Sequence, residues 1–484
     1  MDLTPATSGI YIDGRWRWPA DRDEFVVSDP ATGEGLARLV DGTAEDALAA
    51  LDAASAAQRE WAATPARRRA EILRRAFEMI LERGEQLAAT ITAEMGKSLA
   101  EARSEVGYGA EFLRWFAEEA VRIGGRTTQT PEGTAMVQVT RRPVGPCYLV
   151  TPWNFPLAMI TRKVGPALAA GCTVVVKPAD LTPLTALRVV EILEESGVPA
   201  GVVNLLTTTD PAAVSGALLA DPRLRKMSFT GSTAVGRLLL REAAGQVLRC
   251  SMELGGNAPF VVMEGADVDA AVEGAMAAKF RNVGQACTAA NRFHVHDSLA
   301  EEFAQALAAR AAALRIGPGS AAGTDLGPLI SEAAVQRNLA IVEDALERGA
   351  RLVTGGRRVE GPGHFLEPTV LADVPWGSRA LSEEIFGPVA PIARFGSVEQ
   401  AIADANATEY GLASYVYGPT LEAGHAFSHE IEAGMVGVDT GLVSNAAAPF
   451  GGVKSSGLGR EGGVEGIAEY LATQYAASPI PALP

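Results

Sequence analysis

The stretch from Cys147 to Met252 alternates short apolar runs with segments of helical length, and this rhythm restricts the chain to very few folds. CYLVT opens it, a helical segment follows from about Pro156 to Ala170, and TVVVK (173 to 177) is the next run. A second helix lies between Thr182-Pro183 and Gly197, with Pro199 beyond; VNLL (203 to 206), KMSF (226 to 229) and LRCSM (248 to 252) complete the series. Strands joined through helices cannot be hairpins. They form a parallel, doubly wound sheet whose ligands sit at the carboxyl ends of the strands. A second α/β alternation runs from PFVVM (259 to 263) to about Phe450. With 484 residues, too many for one core, the expectation is a nucleotide-binding domain from 1–124 and 143–253 and a second α/β domain from 254–450.

The flanks read differently. Residues 9 to 27 alternate apolar and polar around Asp13-Gly14, a hairpin signal. From Thr43 to about Ile123 the period is helical, with Thr64-Pro65 read as an N-cap followed by an N1 proline. Residues 128 to 142 and the segment after Tyr470 read as outlying extended pieces that can pair with another subunit. A net charge of -16 disfavours a nucleic-acid surface and an anionic membrane, so an anionic substrate needs a local cluster of arginines. Four cysteines without a Cys-x-x-Cys pair fit a reducing compartment, with the cytoplasm as default. No signal-peptide succession opens the sequence, and no apolar run has the length of a membrane span.

Several chemistries drop out. The five histidines lack zinc-ligand spacing, so no metal is expected, and there is no Gly-x-Ser-x-Gly elbow or Walker loop. What is left is a set of polar and glycine-rich knots, each following an expected strand. TPWNFP (151 to 156) offers Asn154 either as a turn former or as an amide donor to a developing oxyanion. In KPAD (177 to 180), Lys177 and Asp180 can hold ribose hydroxyls or a phosphate. FTGSTAVG (229 to 236) brings backbone N–H groups toward a pyrophosphate at a helix N-terminus. MELGGN (252 to 257) ends a strand on Glu253, and GQACTAANR (284 to 292) sets Cys287 among small residues. Singly, each has an ordinary reading: a turn, a solvated acid, a buried thiol.

In this order, and followed by EEIFGPV (383 to 389), the knots resemble the NAD(P)-dependent aldehyde dehydrogenase superfamily from about residue 10 to 475. MITRKVGPAL (159 to 168), KFRN (279 to 282), GLVSN (441 to 445) and APFGGVKSSGLGRE (448 to 461) resemble its succinate-semialdehyde dehydrogenase branch. The resemblance implies an α/β fold with a Rossmann-type cofactor domain, an α/β catalytic domain and a small β oligomerisation flap from 125–142 and 451–484, assembled as a homodimer or homotetramer. It implies Cys287 as nucleophile, Glu253 as general base, and Asn154 with the Cys287 N–H as oxyanion donors. Trp153, Lys177, Asp180, Gly231, Ser232, Leu254, Glu384 and Phe386 are implied at the dinucleotide. Arg162, Arg281 and Ser444 are implied at the carboxylate of succinate semialdehyde, with glutarate semialdehyde the nearest alternative and Trp115 and Phe116 walling the tunnel.

Departures from the pattern matter too. Asp180 stands where many NAD-using relatives carry glutamate, and its shorter reach weakens repulsion of a ribose 2′-phosphate, so the expectation is NADP used at least as well as NAD. Ala289 replaces a second cysteine found in some relatives, so no disulfide at Cys287 is expected. Glu253 favours hydrolysis over transfer of the acyl group to coenzyme A.

Overall fold

A computed structural model describes residues 9 to 19 and 21 to 480. The expected absence of a leader, the ends of the segments 1–124 and 451–484, and Ala20 of the expected hairpin segment 9 to 27 lie outside those residues.

β1 (Ile10–Ile12) and β2 (Arg15–Arg17) make the expected hairpin, with Asp13 at φ 57 and Gly14 at φ 69 turning it. β3 (Glu24–Ser28) and β4 (Gly35–Val40) form a separate antiparallel ribbon. A layer of four helices follows: α1 (Ala44–Ala63), α2 (Ala66–Glu82), α3 (Gly84–Met95) and α4 (Leu99–Ala120). Thr64 does not cap α2. It closes α1 through its own N–H and its hydroxyl, both directed to Glu60 O, and Pro65 takes the N-cap position of α2 without any side-chain bond. The Thr-Pro pair therefore marks a break between helices in which the threonine serves the preceding one.

β5 (Arg126–Gln129) and β6 (Ala135–Pro143) leave this body as a ribbon. The alternation then begins: β7 (Cys147–Val150), α5 (Pro156–Ala170), β8 (Val174–Lys177), α6 (Leu184–Glu195), β9 (Val203–Leu205), α7 (Pro211–Ala220), β10 (Lys226–Thr230), α8 (Thr233–Ala244) and β11 (Arg249–Glu253). β12 (Ala258–Val262), α9 (Val268–Lys279), β13 (Ala290–His296), β14 (Arg351–Thr354), β15 (Thr369–Ala372), β16 (Val389–Phe395), β17 (Ala413–Tyr417) and β18 (Met435–Val438) build the second sheet. β19 (Gly457–Leu458) returns to β11, and β20 (Leu471–Pro479) pairs along β6.

The first sheet has the order β19-β11-β10-β7-β8-β9-β1-β2, parallel from β11 to β9 and antiparallel at its edges. The second has the order β14-β15-β16-β13-β12-β17-β18, parallel except at β14. Both are covered by helices, which is why their strands are apolar on both faces. Phe116 departs from the sequence reading: its ring is fully buried against Gly165 and Gly466 in the core beneath α4, whereas Trp115 lies half-buried on the cavity side. Among the described residues no helix is long and apolar enough to cross a membrane, and no cluster of His, Cys, Asp or Glu is arranged to hold a metal.

Candidate active site

Four strand ends of the first sheet align. Val150 of β7 is in register with Lys177 of β8 and Phe229 of β10, and Thr230 of β10 with Glu253 of β11. The chain thus leaves the sheet at Thr151, Pro178, Gly231 and Leu254 along one carboxyl edge, the edge where doubly wound sheets bind ligands. The second sheet supplies the opposite wall, with Cys287 on the loop into β13 and Glu384 and Phe386 ahead of β16. Between them is a cavity of about 220 Å³ lined by Trp153, Asn154, Gly231, Ser232, Glu253, Leu254, Cys287, Glu384 and Phe386. Lys177 and Asp180 belong to the same edge but not to this lining; Lys177 is buried and Asp180 exposed.

The cavity is built for close approach. Gly256 is required where it stands, because a Cβ there would meet the Cys287 carbonyl oxygen at 2.5 Å. The loop that delivers Cys287 passes through three left-handed residues, Asn282 (φ 56), Val283 (φ 59) and Gly284 (φ 70). A β-branched residue in that region is a genuine outlier, and such strain gathers at functional sites. The Asn154 amide donates to Gln285 O at 3.0 Å, which turns it toward the same loop.

The charges in this cavity are displaced from their ordinary titration ranges. Burial pushes the Cys287 thiol up to about 12, with nearby Arg162 acting against that shift. Burial raises Glu253 well above the usual carboxylate range; Glu461 adds to this, while Lys163, Arg162 and Arg460 oppose it. Both Glu253 carboxylate oxygens are without a hydrogen-bond partner among the described residues. An unsatisfied buried carboxyl beside a thiol is costly as structure and is the form a general base takes. Burial also raises Glu384 to about 7, although one oxygen accepts the Gly256 N–H at 3.1 Å.

The groups lining this edge suit a dinucleotide. Ser232 caps α8 by accepting the Val235 N–H and lines the cavity with Gly231, which brings a helix N-terminus to the cavity, a place suited to a pyrophosphate. Glu384 offers acceptors for ribose hydroxyls, and the Lys177 ammonium donates to Pro178 O at 3.0 Å and feels the Asp180 charge. The Trp153 and Phe386 rings meet edge to face 5.5 Å apart, giving the cavity an aromatic rim.

The three expected carboxylate-binding residues do not form one contiguous group. Arg162 is fully buried on α5, packed over Phe450 at 4.2 Å and Phe112 at 4.9 Å, with Glu461 3.5 Å from its Nε. Its Nη2 donates to the Tyr108 hydroxyl at 2.6 Å, and that hydroxyl in turn meets Ser444 Oγ. Tyr108, Trp115 and Ser444 line a second cavity of about 460 Å³. Arg281 is half-buried, its guanidinium 5.6 Å from the Phe155 ring centre, with no hydrogen bond to Arg162 or Ser444 among the described residues. Tyr108 was not signalled by the sequence, since one tyrosine on an amphipathic helix has no distinguishing pattern. Arg337 was missed for the same reason; it lines the first cavity and donates to Glu384 O.

The other cysteines are remote. Cys147 and Cys250 lie at the amino ends of β7 and β11, and Cys172 just before β8, so all three occupy the edge of the sheet opposite the cavity.

Comparison with known proteins agrees with this geometry. The profile of the Aldehyde dehydrogenase family matches residues 16–476. A succinate-semialdehyde dehydrogenase of Paenarthrobacter nicotinovorans is 59% identical over 91% of this chain and 98% of its own length. A 3-sulfolactaldehyde dehydrogenase of Pseudomonas putida is 49% identical over 96% of both chains. The crystal structure of succinate-semialdehyde dehydrogenase from Burkholderia pseudomallei superposes with a TM-score of 0.96 at 47% identity, covering 99% of this chain and 98% of that one. With Cys287 and Glu253 lining one cavity, the profile match over residues 16–476 and relatives at up to 59% identity over most of the chain place this protein in the aldehyde dehydrogenase family.

Proposed function

We propose that the chain oxidises succinate semialdehyde to succinate with NAD or NADP. The observation that supports this most is the run from the buried Arg162 through half-buried Tyr108 to Ser444, a charge-backed hydroxyl pair whose guanidinium also acts on the Cys287 thiol. The Tyr108 oxygen accepts from Arg162 and shares one hydrogen bond with Ser444 Oγ, so one proton of the hydroxyl pair is left for an anion, which feels the guanidinium through the pair. Arg281 adds a second positive charge. The named substrates of the similar proteins from Paenarthrobacter nicotinovorans and Pseudomonas putida are likewise aldehydes with an anionic tail.

Lys177, Gly231, Ser232, Leu254, Glu384, Phe386 and Trp153 would hold the dinucleotide, with Asp180 toward the adenine ribose. When bound, the coenzyme supplies the hydride acceptor. Cys287 adds through sulfur to the aldehyde carbon, and the Asn154 amide and the Cys287 N–H carry the oxygen as charge develops there. Oxidation of this thiohemiacetal leaves a thioester on Cys287. Glu253 then removes a proton from the water that attacks the thioester, so succinate leaves and the thiol is restored. We also read the β20-β6-β5 sheet as the contact with a second copy of the chain.

The test is a set of initial rates with succinate semialdehyde, glutarate semialdehyde and butanal, each with both coenzymes. Succinate semialdehyde should be best, glutarate semialdehyde next and butanal far behind. Butanal turned over as efficiently as succinate semialdehyde would defeat the carboxylate reading and leave a broader aldehyde dehydrogenase.

A further inference from the structure

Lys97 lies at the turn between α3 and α4, far in sequence from every catalytic candidate, and is completely buried. Its ammonium is engaged on three sides. It is hydrogen-bonded to Glu105 in a pair whose side chains are each only 1% exposed, it sits 4.0 Å from the Phe155 ring centre, and it donates to the backbone carbonyl of Asn154 at 2.9 Å. Glu105 uses its other oxygen to accept the Leu157 and Ala158 N–H groups, at 2.9 and 3.2 Å, and so caps α5. One ion pair therefore holds both the Asn154 turn and the start of the helix that carries Arg162.

The same carbonyl receives a second donor. Asn282 Nδ2 reaches Asn154 O at 3.0 Å and Gln285 O at 2.9 Å, and Asn282 N–H donates to Glu101 at 2.6 Å. Asn282 is the first of the left-handed residues before Cys287. The Asn154 carbonyl is thus the point where α3–α4 junction, oxyanion turn and nucleophile loop are tied together. Burying two ions this deeply brings little net stability, whereas removing one partner leaves an unpaired charge in the core.

We infer that Lys97, with Glu105, is a positioning residue that fixes the Asn154 amide against the Cys287 loop. The inference rests on the assignment of Asn154 to the oxyanion. Lys97 lines neither cavity and meets the site only through the Asn154 backbone carbonyl, so its effect falls on the step in which charge develops on the aldehyde oxygen, while coenzyme binding is left alone.

The experiment uses the full-length enzyme carrying Lys97→Met, Lys97→Arg or Glu105→Gln, followed by stopped flow with an aldehyde and its 1-deuterated form. Lys97→Met should slow the burst of reduced coenzyme about 10- to 100-fold with the KM for coenzyme within about twofold of the parent, and Lys97→Arg should regain part of the rate. Glu105→Gln, which keeps the shape of the core, should show the same selective loss even if Lys97→Met does not fold. An unchanged burst rate in any folded Lys97→Met or Glu105→Gln enzyme overturns the inference. So does a rise in the KM for coenzyme that matches the fall in burst rate, which is what general loosening produces. An Asn154→Ala enzyme with a normal burst would instead remove the oxyanion assignment itself.

Discussion

Cys287 and Glu253 share one cavity, and in the proposed mechanism they serve different halves of the reaction, so their substitutions should separate accordingly. Cys287→Ala should abolish oxidation, whereas Glu253→Gln should release one fast equivalent of reduced coenzyme and then turn over slowly; equal loss of burst and steady state would contradict a role confined to deacylation. The raised Glu253 carboxyl has a pH consequence. A base must be ionised to act, so thioester hydrolysis should climb with pH above the ordinary carboxylate range, and the Glu253→Gln enzyme should lack that dependence. A thiol raised to about 12 should, in coenzyme-free enzyme, react with iodoacetamide at a rate still rising at pH 10. Asp180 is exposed beside the buried Lys177, so Asp180→Glu should shift the kcat/KM ratio toward NAD; an unmoved ratio would detach this position from coenzyme choice. Glu253 and Asp180 stand out in the sequence because they lie at or just past a strand end, where punctuation is dense, whereas Cys287 precedes β13 and stands out by its glycine-led, small-residue surroundings. Tyr108 and Lys97 do not, because a polar residue buried from within a helical layer leaves no periodic mark.

At the level of elements, α4 and α5 act as a unit. Gly109 of α4 lets the two helices touch, since a Cβ there would collide with Leu157 at 2.1 Å, and this approach sets Tyr108 beside Arg162. Arg162→Ala should lose roughly 2 to 5 kcal/mol of transition-state binding for succinate semialdehyde, the scale for stripping one partner from a desolvated charge contact. Tyr108→Phe removes a single hydroxyl and should lose about 1 kcal/mol. Neither change should alter butanal kinetics much, and equal losses with both aldehydes would show that the helix pair is supporting the fold instead of selecting the tail. The alternation of strands and helices was readable from residue 147 onward because parallel strands buried on both faces are continuous apolar runs. The helical layer before it was readable only as a layer. There the pairing of helices depends on small residues and buried ions, and the Thr64-Pro65 signal pointed to the wrong helix of its pair.

For the whole molecule, the three-stranded sheet stands out as an edge in need of cover. All of β20 after Leu471 is exposed, including Tyr475 at 59%, and an open strand edge is a template for further pairing. Light scattering should therefore report a dimer or tetramer, and Tyr475→Glu should move it toward smaller species. Chain order carries a further consequence, for synthesis. β11 gains its neighbour β19, and Lys163 its carboxylate partner Glu461, only from the last stretch of the described chain. While the ribosome is still making the second sheet, the first has an open flank and the buried Lys163 ammonium lacks its ion-pair partner Glu461. Folding of the first sheet should therefore be completed only when translation is nearly over. A chain stopped after Phe450 should be cut by protease between β7 and β11, in a region that the full-length protein protects.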